Sequence, residues 1–361
     1  MSGQFQEPAV ESIQSRYGDF YILTDDDLIS DSLRRYGEWA QREIDLLRAF
    51  IGPGDAVVDA GAYLGTHTRA FSERVGPGGV VYGFEPNAGS FSVLQRNAQA
   101  APVSNIHLFN LGIGARSETR ALHLDDSLHN RASATMMASA GSGATVRVRA
   151  LDDIGLARVN LMKVDVEGME LQLLRGAQQT IARYQPIIFL EINTLAGSLG
   201  FLPWAEQHGY LAYGVNVAAF NPDNHARAEA NVFGSAREVG LLLIPSRTLE
   251  QFAARLEQFE LPRIDSIDAL ALLLLHKPQY LNEVLGATDV CKRLGLNFER
   301  SSETRRLQSL LEAKNLALDD AAQAYAALRG AFDDKENELK QAVAALSRAA
   351  SVQAPQIRGE G

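Results

Sequence analysis

Val57-Val58-Asp59-Ala60-Gly61-Ala62-Tyr63-Leu64-Gly65-Thr66-His67-Thr68 reads as a buried strand closing on an acid, a glycine-rich turn and the opening of a helix. Gly61 and Gly65 let the backbone turn tightly and approach a ligand with no Cβ in the way. The place is the carboxyl end of a strand, where open α/β sheets bind their ligands. Outward from it, strand and helix patterns alternate. Strands are expected over 55–59, 79–84, 105–109, 160–165, 186–191, 210–215 and 239–244, and helices over 65–75, 88–100, 168–183 and 199–208. Short apolar runs of this kind are buried parallel strands, and the alternation implies a doubly wound α/β, mostly parallel sheet with helices on both faces. Upstream, Ala40, Ile44, Leu47 and Ile51 recur at helical spacing across 33–51, and Gly52-Pro53-Gly54 stops that helix.

Residues 33–245 are therefore expected to form one domain, preceded by a lead-in over 1–32 with a short strand at 18–23 and an acidic turn at 24–27. One stretch breaks the alternation. Residues 119–124 and 145–151 have a period of two, and 125–143 between them are rich in Ser, Ala, Thr and Gly. That pattern is an inserted hairpin with a long tip, the kind of loop that serves as a lid or acceptor-binding segment. After Pro245 the pattern changes to short helices over 246–300. Across 301–350, Leu311, Leu318, Tyr325, Phe332, Leu339 and Leu346 fall every seventh residue, which predicts a coiled coil and through it a homo-oligomer. Residues 351–361 are expected to be a disordered tail.

Composition narrows the function classes. The 361 residues are 46% hydrophobic, enough for a packed core, and carry a net charge of −10. An acidic chain neutralises phosphates poorly, which argues against nucleic acid as a partner. The single cysteine, Cys291, makes neither an internal disulfide nor a four-cysteine metal site. The longest apolar run, residues 269–275, is far short of the roughly 20 residues that span a bilayer. The first eleven residues have no signal-peptide pattern, so a cytoplasmic location is expected.

Three strand ends carry the candidate chemistry. Glu85, in Val80-Val81-Tyr82-Gly83-Phe84-Glu85-Pro86-Asn87, closes the strand after Asp59 and is placed to accept hydrogen bonds from both hydroxyls of a ribose. Dinucleotide enzymes use the same device, so an NAD-dependent oxidoreductase is an alternative. However, the glycines are spaced Gly-x-x-x-Gly, and Asp59 would repel a pyrophosphate. An acid beside the first glycine suits a cationic ligand such as S-adenosylmethionine, with its amino and sulfonium groups. Lys163-Val164-Asp165-Val166-Glu167-Gly168-Met169-Glu170 closes a third strand. Asp165 is a candidate to contact the donor or to receive the proton of an acceptor hydroxyl. Glu191, closing Phe189-Leu190-Glu191, is a second candidate on the acceptor side. Glu167 and Glu170 fall in a first helical turn, where acids favour the helix dipole. His67 either touches the acceptor or caps its helix. The seven histidines form no metal-ligand spacing and no metal site is expected, although Mg2+ held by Asp165 and Glu191 is conceivable for a hard cation.

Taken in order, Tyr36-Gly37-Glu38-Trp39, the helix after it, Gly52-Pro53-Gly54-Asp55, VVDAGAYLGTHT at 57–68, VVYGFEPN at 80–87 and LMKVDVEGMELQLLRGA at 161–177 resemble the FkbM-type methyltransferases over about residues 17–195. The resemblance implies a class I methyltransferase fold, Rossmann-like, with S-adenosylmethionine as methyl donor. The acceptor it implies is a hydroxyl of a sugar, a polysaccharide or a related small-molecule secondary metabolite. Asp59, Gly61, Gly65 and Glu85 would bind the donor, together with Ala62 and Tyr63 of the turn and Pro86 and Asn87 after Glu85. Asp165 would line the site, and Asn110, Leu111 and Gly112 would lie near the adenine. Tyr63 departs from the family, which usually has Asn at that place. A non-catalytic scaffold organising a glycan-assembly complex through its coiled coil is the remaining alternative, and the complete Asp59, Gly61, Gly65 and Glu85 set weighs against it.

Overall fold

Seven strands form the central sheet of the computed structural model, which describes residues 8–24, 28–123, 135–137 and 145–275. They are β3 (Ala56–Ala60), β4 (Val80–Phe84), β5 (Ile106–Phe109), β10 (Leu161–Val164), β11 (Ile187–Glu191), β12 (Tyr210–Ala218) and β13 (Arg237–Pro245). Their spatial order is β12-β13-β11-β10-β3-β4-β5. The central pairs are parallel, and only β13 runs against its neighbours β11 and β12. From β3 the chain winds outward through β4 and β5, then returns to β10 on the other side. The sheet is doubly wound and mostly parallel, as the alternating pattern implied, with its switch point between β3 and β10.

Both faces are buried, which is why these strands read as continuous apolar runs. Val57, Leu161 and Ile187 pack with Leu46, Leu47 and Phe71 on one face. Val58, Met162 and Ile188, one residue on, pack with Leu173, Leu174 and Ile181 on the other. The first face is covered by α2 (Gln41–Ala49), α3 (Thr66–Val75) and α9 (Leu249–Gln258). The second takes α5 (Glu170–Gly176), α6 (Gln178–Tyr184), α8 (Phe201–Gln207) and α10 (Ile267–Leu274). α4 (Ala88–Gln99) follows β4.

Two helices differ from the sequence expectation, each for a physical reason. The helix expected across 33–51 is two, α1 (Ile29–Tyr36) and α2, with Gly37 and Ala40 between them in left-handed conformation. Glu38 in that break is only 4% exposed. It accepts hydrogen bonds from Arg16 Nε at 2.7 Å, Asn221 Nδ2 at 2.7 Å and His225 N at 3.0 Å. A buried carboxylate satisfied by three donors from two distant segments outweighs local helix periodicity. The helix expected over 168–183 breaks at Ala177, where Gly176 lies so close to Gly114 that a Cβ would meet its carbonyl oxygen at 1.9 Å. The strand at 18–23 is β2 (Gly18–Leu23), and it pairs with an unanticipated β1 (Val10–Ser15). The guanidinium of Arg69, buried on α3, donates to the carbonyls of Tyr17, Asp19 and Asn97 and fastens this hairpin to the domain.

The insertion contains the expected antiparallel pair, β7 (Glu118–His123) with β9 (Thr145–Arg149). It also holds β8 (Thr135–Met137) beside β7 and β6 (Gly112–Ile113) beside β9, making a separate four-stranded sheet. The remainder of the expected loop tip lies outside the described residues. So do the acidic turn at 25–27, Cys291, the coiled coil at 301–350 and the tail at 351–361. The short helices expected after Pro245 are represented by α9 and α10, and the segment between them bonds the edge strand through Gly214 N to Pro262 O and Ile264 N to Ala212 O. Among the described residues no helix is long and apolar enough to cross a membrane.

Candidate active site

The carboxyl ends of β3, β4, β10 and β11 bring the sequence-predicted residues to one edge of the sheet. After β3 the chain enters the glycine turn. Gly61 N and Ala62 N both donate to Phe84 O at 3.0 Å, which binds the turn to the end of β4. Gly61 has φ 84°, and a Cβ there would lie 1.7 Å from the carbonyl oxygen of Asp165. Glycine at 61 is thus required by the backbone of the neighbouring βα turn as well as by its own tight turn. Gly65 (φ 94°) opens α3 and faces Leu94. Tyr63 is left-handed at φ 48°, a conformation that costs a side-chain-bearing residue about 1–2 kcal/mol.

Glu85 follows β4. Tyr63 N donates to its Oε2 at 3.0 Å and Asn87 N to its Oε1 at 2.8 Å, so each carboxylate oxygen is aimed by a backbone amide. Asn87 in turn caps α4, accepting from Gly89 N and Ser90 N. Asn110 Nδ2 donates to the carbonyls of Glu85 at 2.9 Å and Pro86 at 3.2 Å, tying the end of β5 to this bend. Leu111 is buried, and Gly112 sits in β6 opposite Val148.

Beneath the turn lies a charged network. Asp59 is 0% exposed and accepts from Thr68 Oγ1 at 2.5 Å. Its side chain is shut off from the edge, so the direct donor contact expected of it is not open to it. Its Oδ1 has no hydrogen-bond partner, and Lys163 Nζ lies 4.0 Å away. The same ammonium donates to Asp165 Oδ2 at 3.0 Å. The Lys163 side chain is 3% exposed and that of Asp165 is 30% exposed, which makes Asp165 the end of the network that meets solvent. Glu191, at the tip of β11, hydrogen-bonds Asp165. His67, in the first turn of α3, is buried, with Nε2 2.9 Å from Glu43 Oε1 of α2 and Nδ1 3.5 Å from Thr66 Oγ1.

These environments set the charge states. Burial raises Glu85 from its ordinary 4.5 to about 7, against its two backbone hydrogen bonds and with help from Asp165 and Asp59. Burial works against the Asp165 carboxylate too, but Lys163 outweighs it, with Glu191 and His67 assisting, and Asp165 falls to about 2. Burial opposes the Lys163 ammonium, yet Asp165, Asp59 and Glu43 hold it above the ordinary lysine value. Burial, reinforced by Lys163, lowers His67 to about 3. The imidazole is therefore neutral and donates from Nε2 to Glu43.

Lys163, Glu43 and Thr68 were not singled out by the sequence reading. The signal for Lys163 was present, since a lysine inside the otherwise apolar Leu161–Val164 strand implies a buried partner charge. Its ammonium now occupies one oxygen of Asp165, at the place considered for Mg2+. Among the described residues no cluster of three His, Cys, Asp or Glu could hold a metal ion.

The donor set fits an adenosyl compound. Each oxygen of the Glu85 carboxylate has lone-pair capacity beyond its one amide, enough for two ribose hydroxyls. The surrounding acids favour a cation. The family model described as methyltransferase FkbM domain matches residues 59–212. Methyltransferase 1 of Beauveria bassiana is 31% identical over 148 residues, which cover 34% of this chain and 59% of that protein. The hexuronic acid methyltransferase AglP of Haloferax volcanii is 29% identical over 147 residues, covering 40% of this chain and 57% of its own. The chain thus spans less than two thirds of either relative. The crystal structure of methyltransferase FkbM from Methylobacillus flagellatus is 20% identical, with a TM-score of 0.34, and the match covers 52% of this chain and 43% of that one.

Proposed function

We propose that the chain, whose residues 59–212 match the methyltransferase FkbM domain model, transfers a methyl group from S-adenosylmethionine to a hydroxyl of a sugar, polysaccharide or related secondary metabolite. The observation that carries the reading is Glu85: a carboxylate at a strand tip beside the switch point, both oxygens aimed by backbone amides, next to the glycine turn. The hexuronic acid relative supports a sugar-derived acceptor.

In this reading Glu85 holds the ribose hydroxyls, and Gly61, Ala62, Tyr63 and Gly65 shape the bed of the methionyl part. Pro86, Asn87, Asn110 and Gly112 line the adenine side. The bound donor supplies an electrophilic methyl group whose carbon–sulfur bond breaks, the electron pair staying on sulfur, as the acceptor oxygen bonds to carbon. Asp165 and Glu191 face that oxygen. Asp165, ionised and only weakly basic, orients the hydroxyl by accepting its hydrogen bond and takes the proton as the oxygen loses it. Holding the reactants at near-attack distance provides most of the acceleration. His67, neutral and buried against Glu43, ties α3 to α2. Asp59 contributes negative potential beneath the turn.

Calorimetric titration of the full chain with S-adenosylmethionine and, separately, with NAD tests the donor. Binding of the first alone is the expected result, and binding of NAD alone would reverse the reading. Mass spectrometry of candidate glycans incubated with methyl-labelled donor tests the acceptor. Self-association through residues 301–350 belongs to the same proposal, and light scattering that returns a monomer mass would contradict it.

A further inference from the structure

We propose that Trp39 and Phe233 form the wall against which the acceptor lies, an aromatic face that takes the apolar side of a pyranose ring, with the indole N–H of Trp39 donating to one of its oxygens. What is bound there rests on the methyl-transfer reading, whereas the wall itself is a property of the free chain.

Topology puts both residues at the carboxyl edge of the sheet. α2 leads through Gly52-Pro53-Gly54 into the amino end of β3, so its first turn, and Trp39 just before it, stand at the opposite edge. Glu43 in that turn meets His67 in the first turn of α3 at 2.9 Å. Phe233 belongs to the segment 219–236, which joins β12 to β13. Gly240 pairs with Glu191 on one side and with Val215 on the other, so residues 216–218 and 237–239 carry this segment roughly 10 Å beyond the tip of β11. Trp39 and Tyr63 pack against one apolar cluster that includes Leu33 and Leu64, which sets the wall beside the glycine turn.

Residues 219–236 contain no helix or strand, and a connection of that length in a compact domain is usually functional. This one is fastened. The Tyr36 hydroxyl donates to Ala230 O at 2.7 Å and accepts from Val232 N at 2.9 Å, and Ala226 N donates to Tyr36 O at 3.0 Å. Arg16 Nη2 donates to Asp223 O at 2.6 Å, and Glu38 holds Asn221 and His225. The Tyr36 ring meets Phe220 and Phe233, each with centroids 5.5 Å apart. Phe233 then meets Trp39 at 5.9 Å with the ring planes 66° apart. Trp39 is half-buried, and its indole N–H has no hydrogen-bond partner among the described residues. Val232, next to Phe233, is 55% exposed. A half-open aromatic pair with a spare donor, at the edge where open α/β sheets bind ligands, matches a molecule with one apolar face and a rim of oxygens. A pyranose ring presents that surface. Tyr36 and Glu38 fix the pair in advance, so little ordering is left for the acceptor to drive.

Fluorine NMR of the full chain labelled with 5-fluorotryptophan reads the wall directly, because the sequence has two tryptophans, Trp39 and Trp204, and Trp39→Phe assigns their resonances. The methyl glycosides of glucose, galactose, mannose and glucuronic acid, and phenol as a flat aromatic control, are titrated separately at millimolar concentration in the presence of S-adenosylhomocysteine. The proposal expects at least one glycoside to shift the Trp39 resonance saturably, while Trp204, buried and stacked on His208, stays in place. Phe233→Ala should weaken that glycoside about tenfold and leave the affinity for S-adenosylhomocysteine, measured by calorimetry, unchanged. Phe233→Leu replaces it if Phe233→Ala does not fold. A Trp39 resonance that no glycoside moves, that moves only together with Trp204, or that answers to phenol alone overturns the wall. An equal loss of S-adenosylhomocysteine affinity in the Phe233 variant assigns the wall to the donor half and overturns it too. If the wild-type chain does not bind S-adenosylhomocysteine, the methyl-transfer reading fails, and the fluorine shifts still decide whether Trp39 and Phe233 hold a sugar.

Discussion

Glu85 and Asp165 are both acids just beyond the ends of parallel strands on either side of β3, yet the fold drives them apart. Glu85 is wrapped in backbone amides and apolar walls and rises to about 7. Asp165 has a buried ammonium at 3.0 Å and falls to about 2. The donor half of the site therefore offers an acid that ionises fully when ligand hydroxyls donate to it. In the proposed reading the acceptor half offers a carboxylate that is ionised before the acceptor hydroxyl gives up its proton. Both are carboxylic acids one residue past a strand, and the difference lies in what packs underneath. Two carboxyl groups set to different charge states are how one site divides binding from proton handling.

The sharpest way to break this division is at the seam between the halves. Gly61→Ala places a Cβ 1.7 Å from the Asp165 carbonyl oxygen at a left-handed position, and should cost at least about 4 kcal/mol of stability by denaturant unfolding. A loss below about 1 kcal/mol would show that the two turns are not packed as described. Next is Glu85→Gln, which removes a charged acceptor from two hydroxyl donors. Affinity for S-adenosylhomocysteine should fall about tenfold to hundredfold, with unfolding stability maintained. An unchanged affinity would place the ribose elsewhere.

The pH dependence of the donor half follows from the sign of the Glu85 shift. Its folded value is raised above the ordinary 4.5, so the unfolded chain ionises first. The free protein accordingly loses stability as pH rises from 4.5 to about 7. Ribose hydroxyls favour the ionised form, so donor binding releases protons, approaching one per ligand on the acid side of that value, and weakens as pH falls. Titrations in buffers of different ionisation enthalpy measure the release, and none at acid pH would remove the contrast with Asp165. The smallest effect concerns Tyr63. Asn tolerates the left-handed conformation better, so Tyr63→Asn should raise Tm by about 2–4 °C. A simultaneous loss of donor affinity would show that the ring also touches the ligand.

Much of this contrast was legible in the chain itself. The apolar strands of the sheet, the glycine turn and the acids at the strand ends each rest on local sequence. The FkbM-like motifs at 57–68, 80–87 and 161–177 lie where the structure gathers the site. What escaped was non-local. The break at 37–40 is dictated by Glu38, whose partners Asn221 and His225 are more than 180 residues away. The division between Glu85 and Asp165 depends on Lys163 and Asp59 lying on neighbouring strands, in register at Lys163 and Asp59, and no spacing along the chain encodes that pairing. Gly61 looked like a ligand-facing glycine because periodicity does not reveal which backbone crosses it.

A crystal structure of the full chain with S-adenosylhomocysteine tests the division most directly. The account predicts both ribose hydroxyls on the Glu85 carboxylate, and Asp165 still bonded to Lys163 and open toward the acceptor side. A nucleoside bound away from the tip of β4, or Glu85 turned from the sugar, would contradict it.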